Sequence, residues 1–94
     1  DAGNGNNSVR VDPSFAKPMA VTTGNGRDTI ITGAGNDTIR AGAGHDSVAA
    51  GAGNDWVDAG NGKDRVDGGL GRDTIAGGIG DDRIDTGGGS GNQI

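Results

Sequence analysis

Seven aspartates recur at intervals of nine residues: Asp28, Asp37, Asp46, Asp55, Asp64, Asp73 and Asp82. Carboxylates at a fixed spacing can transfer protons, cap turns or hold a hard cation, and their neighbours decide which. Four and two residues before each aspartate stand glycines: Gly24 and Gly26, Gly33 and Gly35, Gly42 and Gly44, Gly51 and Gly53, Gly60 and Gly62, Gly69 and Gly71, Gly78 and Gly80. Two residues after each aspartate comes an aliphatic, namely Ile30, Ile39, Val48, Val57, Val66, Ile75 and Ile84. Catalysis would need one of these carboxylates to differ from the rest or to meet a nucleophile. The single histidine, His45, has no Ser or Cys nucleophile placed to use it, and the chain has no cysteine. A row of identical oxygen donors beside glycine turns, whose carbonyls can face inward, is instead the donor set of a hard divalent cation.

The elements that must position these residues follow from the same spacing. Thr23 to Asp85 is one nonapeptide written seven times, with Gly at positions two and four, Asp at six and Ile or Val at eight. A period this short implies a solenoid. Positions one to six read as turn, where Gly supplies positive φ and close backbone approach. Positions seven to nine read as a minimal strand with only the middle side chain inward. One aliphatic per nine residues cannot form a helix face, which needs three- and four-residue spacing.

The pattern G-G-x-G-x-D-x-U-x, with U aliphatic, resembles the repeats-in-toxin (RTX) nonapeptide. Five of the seven units depart from it at position one, with Thr23, Thr32, Ala41, Ala50 and Ala59 in place of Gly. The resemblance implies an all-β fold, a right-handed parallel β-roll (a β-helix solenoid) with two nonapeptides per coil. Turns would then stack every eighteen residues. One ladder would hold Asp28, Asp46, Asp64 and Asp82, and the other Asp37, Asp55 and Asp73. It further implies calcium between stacked turns, bound by the aspartates and by carbonyls of the glycines named above. Three intervals in one ladder and two in the other give about five ions. Serralysin-type proteases and several secreted lipases carry such repeats, with their catalytic residues elsewhere; no zinc-protease motif is present here. The implied setting is a secreted bacterial protein exported unfolded by a type I route.

Bulk properties agree with a metal-dependent fold. Glycine numbers 22 and the aromatics are one Trp and one Phe, so an extensive apolar core is excluded. Such composition alone would read as disorder, but linkers do not hold Gly and Asp in phase. All 13 acids are Asp. Stacking like carboxylates at the strand spacing of about 4.8 Å makes each pair repel, so a chain without cations should be expanded. Magnesium fits less well, since it demands tight octahedral geometry and keeps its waters; zinc is poorly served by one His and no Cys. The alternative without an ion makes the aspartates turn-capping residues, a task that Asn or Ser performs without repulsion. The net charge of −5 disfavours nucleic acid and anionic membranes as partners, and no apolar run suits membrane insertion.

The flanks are less regular. Residues 2–10 form a degenerate copy that keeps Gly3, Gly5 and Val9 but carries Asn7 in the place of Asp. A twelve-residue insert, Val11 to Thr22, follows with Phe15, Met19 and both prolines. Residues 1–22 thus read as a degenerate repeat plus a cap, 23–85 as the β-roll and 86–94 as a decayed repeat. The insert leaves the parity of the first copy unreadable. Position five holds Arg27, Asn36, His45, Asn54, Lys63, Arg72 and Asp81, and so reads as solvent. Trp56 reads as outward between Thr38 and Thr74, and Leu70 and Ile79 as scattered surface apolars. Arg65 and Arg83 are expected to stack near Asp67 and Asp85.

Three functions follow in order. The first is a calcium-binding, calcium-folded structural module, not an enzyme, serving as part of a larger secreted protein. The second is self-association, with copies stacking end to end into a filament or surface layer because the carboxyl end lacks an apolar cap. The third is ice binding, disfavoured because outward positions mix Thr, Ser, Trp and Arg instead of forming a regular row. The chain begins at Asp1, which suggests a processed product or a segment of something longer.

Overall fold

An alternation of period two carries the whole architecture. The computed structural model describes residues 5–11 and 17–85. Among these residues lie nine strands of three residues: β1 (Ser8–Arg10), β2 (Ala20–Thr22), β3 (Thr29–Ile31), β4 (Thr38–Arg40), β5 (Ser47–Ala49), β6 (Trp56–Asp58), β7 (Arg65–Asp67), β8 (Thr74–Ala76) and β9 (Arg83–Asp85). Odd strands form one parallel sheet in the order β1-β3-β5-β7-β9, and even strands a second, β2-β4-β6-β8. Successive strands therefore fall in opposite sheets, and two nonapeptides complete a coil of a solenoid of about four turns. From β2 onward register pairs each strand residue with the one eighteen positions on, as in Ile30 with Val48 and Ile39 with Val57, whereas β1 meets β3 at an offset of 21, Val9 lying against Ile30.

The two sheets enclose one thin layer of side chains. The molecule's smallest dimension is 13 Å, which admits only short groups between the sheets. Val21, Ile30, Ile39, Val48, Val57, Val66 and Ile75 are buried at position eight, and Val9 and Ile84 pack on them at the ends. Hydrogen bonding runs past the three-residue strands in both directions. Position seven donates to the position-six carbonyl of the preceding coil, as Ser47 N–H does to Asp28 O at 2.8 Å. Position one donates to the position-nine carbonyl of the following coil, as Ala41 N–H does to Asp58 O at 2.9 Å. The extended ladder therefore spans positions six to one, and alternation turns six, eight and one inward together.

That corrects the expectation of a single inward side chain per unit. Ala41, Ala50 and Ala59 at position one are fully buried, as are Thr23 and Thr32, whose hydroxyls donate to Ala41 O and Ala50 O at 2.8 Å. A second finding concerns the insert. Its last three residues form β2, pairing with β4 and burying Val21 against Ile39, so the insert supplies a half-coil. Its residues 12–16 lie outside the described residues, as does the decayed repeat at 86–94. The parity left open by the sequence is also fixed: β1 pairs with β3, on the five-stranded side.

Turns stack as closely as strands do. In the odd ladder, Gly44 N–H donates to Asn61 O at 3.0 Å and Gly62 N–H to Ile79 O at 2.8 Å. Gly62 has φ +115°, and a β-carbon there would overlap the Gly44 carbonyl oxygen. Gly62→Ala is therefore expected to lower stability by at least ~1–3 kcal/mol, the usual cost of a residue forced into such backbone. The neighbouring Lys63→Ala should be near neutral. Thermal midpoints of the two variants, taken where the wild type is folded, provide the check; equal midpoints would contradict the close stacking.

Candidate metal centre

The inward turn of position six places a carboxylate in the solenoid interior once per half-coil. Asp28, Asp37, Asp46, Asp55, Asp64 and Asp73 are buried, with at most 3% of their surface exposed. Asp82, on the last described coil, is half-buried. The two ladders are those expected from the spacing, with Asp28, Asp46, Asp64 and Asp82 preceding odd strands and Asp37, Asp55 and Asp73 preceding even ones.

Each carboxylate is used on one side only. Its Oδ1 accepts the position-six N–H of the preceding coil: Asp46 from Asp28 at 2.9 Å, Asp64 from Asp46 at 2.9 Å, Asp82 from Asp64 at 2.9 Å, Asp55 from Asp37 at 2.8 Å and Asp73 from Asp55 at 2.9 Å. The other oxygen, Oδ2, is buried without a hydrogen-bond partner in Asp28, Asp37, Asp46, Asp55, Asp64 and Asp73. A buried acceptor left unmade costs about 1–3 kcal/mol, and more when it carries charge. Six such atoms in so thin a core demand a counter-charge or a proton.

The atoms present fit a hard cation. Among the described residues, the buried side-chain atoms left without a hydrogen-bond partner are all carboxylate oxygens. Among the described residues no three acidic or histidine side chains converge on one point. A cation between coils would thus meet at most two carboxylates and draw its remaining ligands from backbone carbonyls and water, within the habits of calcium. The glycine turns named from the sequence do stack, with the carbonyl oxygens of Gly42 and Gly44 directed along the axis at Gly60 and Gly62.

Three features escaped the sequence. Position five is exposed, yet its side chains tie coils together: Arg27 N–H donates to Asn6 Oδ1 at 2.8 Å, Asn54 N–H to Asn36 Oδ1 at 2.8 Å and Arg72 N–H to Asn54 Oδ1 at 2.8 Å. His45 does the same, its Nδ1 accepting the Lys63 N–H at 3.0 Å, which assigns the ring proton to Nε2. The signal was the run of Asn and His at that position. Turn capping, weighed for position six, belongs to position nine: Asp58 Oδ1 accepts from Gly60 N–H at 3.1 Å, and Asp67 Oδ1 from Gly69 N–H at 3.0 Å. On the outer face Trp56 does lie between Thr38 and Thr74, 38% exposed, with the Arg40 guanidinium 5.8 Å from its ring centre. Leu70 and Ile79 are exposed, and Arg65 and Arg83 stand in register beside Asp67 and Asp85.

A family model described as the RTX calcium-binding nonapeptide repeat (4 copies) matches residues 22–57 and again residues 58–92. No curated protein and no solved structure matches the chain.

Burial raises the carboxyls of Asp46, Asp55, Asp64 and Asp73, taking Asp55 to about 7 and Asp64 to about 6 from 3.8. Backbone N–H bonds oppose the rise, while neighbouring carboxylates of the same ladder add to it for Asp46, Asp55 and Asp64. Without metal, the folded chain therefore binds protons more tightly than the unfolded one. That stabilisation is fully present below about 3.8 and is lost as pH rises through 6 to 7. Calcium-stripped protein should gain strand signal in circular dichroism when taken from pH 7.5 to pH 5. A signal that stays flat or falls would mean that the carboxylates are not buried in the metal-free fold.

Proposed function

The chain belongs to the RTX calcium-binding nonapeptide repeat family, and from that premise we propose that its residues 23–85 are a module that calcium folds. Family and fold together support a calcium-binding structural module. The observation that carries the finer reading is the set of six buried Oδ2 atoms that no protein group satisfies. In this reading each ion sits in the interval between two coils, bracketed by the aspartates of one ladder and by carbonyls of the paired glycine turns. Five intervals have an aspartate on both sides: 28/46, 46/64, 64/82, 37/55 and 55/73. Bound calcium supplies the positive charge that the interior lacks. The protein's own groups do the rest: Oδ1 holds the preceding coil's N–H, and position eight excludes water from above the carboxylates.

Binding and folding are then a single equilibrium, because the intervals exist only when coils are stacked. At submicromolar calcium the charged interior opposes stacking, and the chain stays expanded. At the roughly 0.1–1 mM of extracellular calcium modules it folds. That behaviour suits a protein that is exported unfolded and matures outside the cell, the setting in which this family is typically found.

A calcium titration followed by circular dichroism, bound-ion count and molecular mass tests the reading. Strand signal should appear with about five ions per chain and vanish with excess chelator at pH 7.5, while magnesium at the same concentration should do little. A constant mass throughout supports a folding module; mass that grows with calcium would favour end-to-end stacking of copies. Full strand content in rigorously calcium-free buffer at that pH would defeat the proposal.

A further inference from the structure

At the equivalent of position six the first described coil carries no aspartate in either half, and the two substitutes differ in kind. On the five-stranded side the equivalent of position six is Asn7: its N–H donates to Asp28 Oδ1 at 2.8 Å and its carbonyl accepts from Thr29 N–H at 2.9 Å. On the four-stranded side it is Met19. Its N–H donates to Asp37 Oδ1 at 3.0 Å and its carbonyl accepts from Thr38 N–H at 2.8 Å. These are the two bonds that Asp37 makes one coil later, to Asp55 Oδ1 at 2.8 Å and from Trp56 N–H at 2.8 Å. Backbone and register are thus those of every aspartate in the ladder. Only the side chain is changed, and Met19, half-buried, packs against the apolar core.

We propose that Met19 is a plug in the cation ladder of the four-stranded side, leaving the interval between Met19 and Asp37 without an ion. The inference rests on the calcium reading given above. A thioether is a soft, weak acceptor that calcium does not take, and it brings neither charge nor carboxylate oxygen to the interval. The interval between Met19 and Asp37 therefore holds no ion. Its half-coil stays in place through Val21 in the core, the Met19 packing and the hydrogen bond to Asp37. Asp37 in consequence serves one ion, shared with Asp55, whereas Asp55 serves two.

Native mass spectrometry of the whole chain at saturating calcium reads this directly as ions per chain. Met19→Asp should carry one more ion than the wild type, and Met19→Leu the same number. Asp37→Ala should lose one ion and Asp55→Ala two. The proposal is overturned if Met19→Asp keeps wild-type strand content without gaining an ion, or if Asp37→Ala loses two. Should Met19→Asp not fold, the comparison of Asp37→Ala with Asp55→Ala decides alone. A wild type that takes up no calcium overturns the calcium reading and this inference with it; uptake by the wild type with no gain in Met19→Asp overturns the plug only.

Discussion

The rest of the structure depends on negative charge held inside a layer too thin to hide it. Strand alternation gives a half-coil three inward positions, and in seven units one of the three is an aspartate. Six of these carboxylates are buried beside Ile and Val, with one oxygen bonded to backbone and the other to nothing. The sheets cannot turn these groups outward without exposing position eight as well, because both face the same side by the same geometry. Charge and core are therefore locked together. Neutralising the first is a condition for forming the second, whether by protons or by cations held between coils.

Asp is the acid that this interior accepts. A β-carbon added to Gly68 would lie 2.7 Å from Asp73 Oδ2 and 3.2 Å from the Ile75 δ-methyl, so the carboxylate already fills the space between positions one and eight. One further methylene, as in Glu, would push the carboxyl group into the opposite sheet or out into the turn. The use of Asp in all seven copies of position six follows from that depth. Where position one is Thr, its hydroxyl reaches the next coil's carbonyl and adds a tie that owes nothing to metal. The coils near the amino end thus carry more metal-independent bonding than those with Gly68 and Gly77.

Much of this was legible in the residues. Glycine and aspartate in phase gave the solenoid, and the resemblance those residues carry implied the eighteen-residue register and the membership of both ladders. What stayed hidden lay where one position does two jobs or where the phase slips. Position one looked like turn material because Gly, Ala and Thr are all small, yet Ala41, Ala50 and Ala59 are core. Position five looked like solvent because its residue types vary, yet Asn36, His45 and Asn54 share a lone pair in one direction, and the backbone N–H they accept is invisible in sequence. The half-coil ending in β2 was concealed because its twelve residues exceed the nonapeptide by three and replace the diagnostic Asp with Met19.

A stack in which each coil touches only its neighbours has a stability set by interval terms and by its two ends. Interior coils here are nearly interchangeable: the same N–H to Oδ1 bond recurs at 2.8–2.9 Å from Asp28 to Asp82. The first described coil differs in its side chains: an amide at Asn7 and a thioether at Met19 stand where the ladders otherwise place a carboxylate, while the backbone bonds to Asp28 and Asp37 keep the coil in register. The repeat is retained there in its hydrogen bonds and core residues and lacks the buried charge.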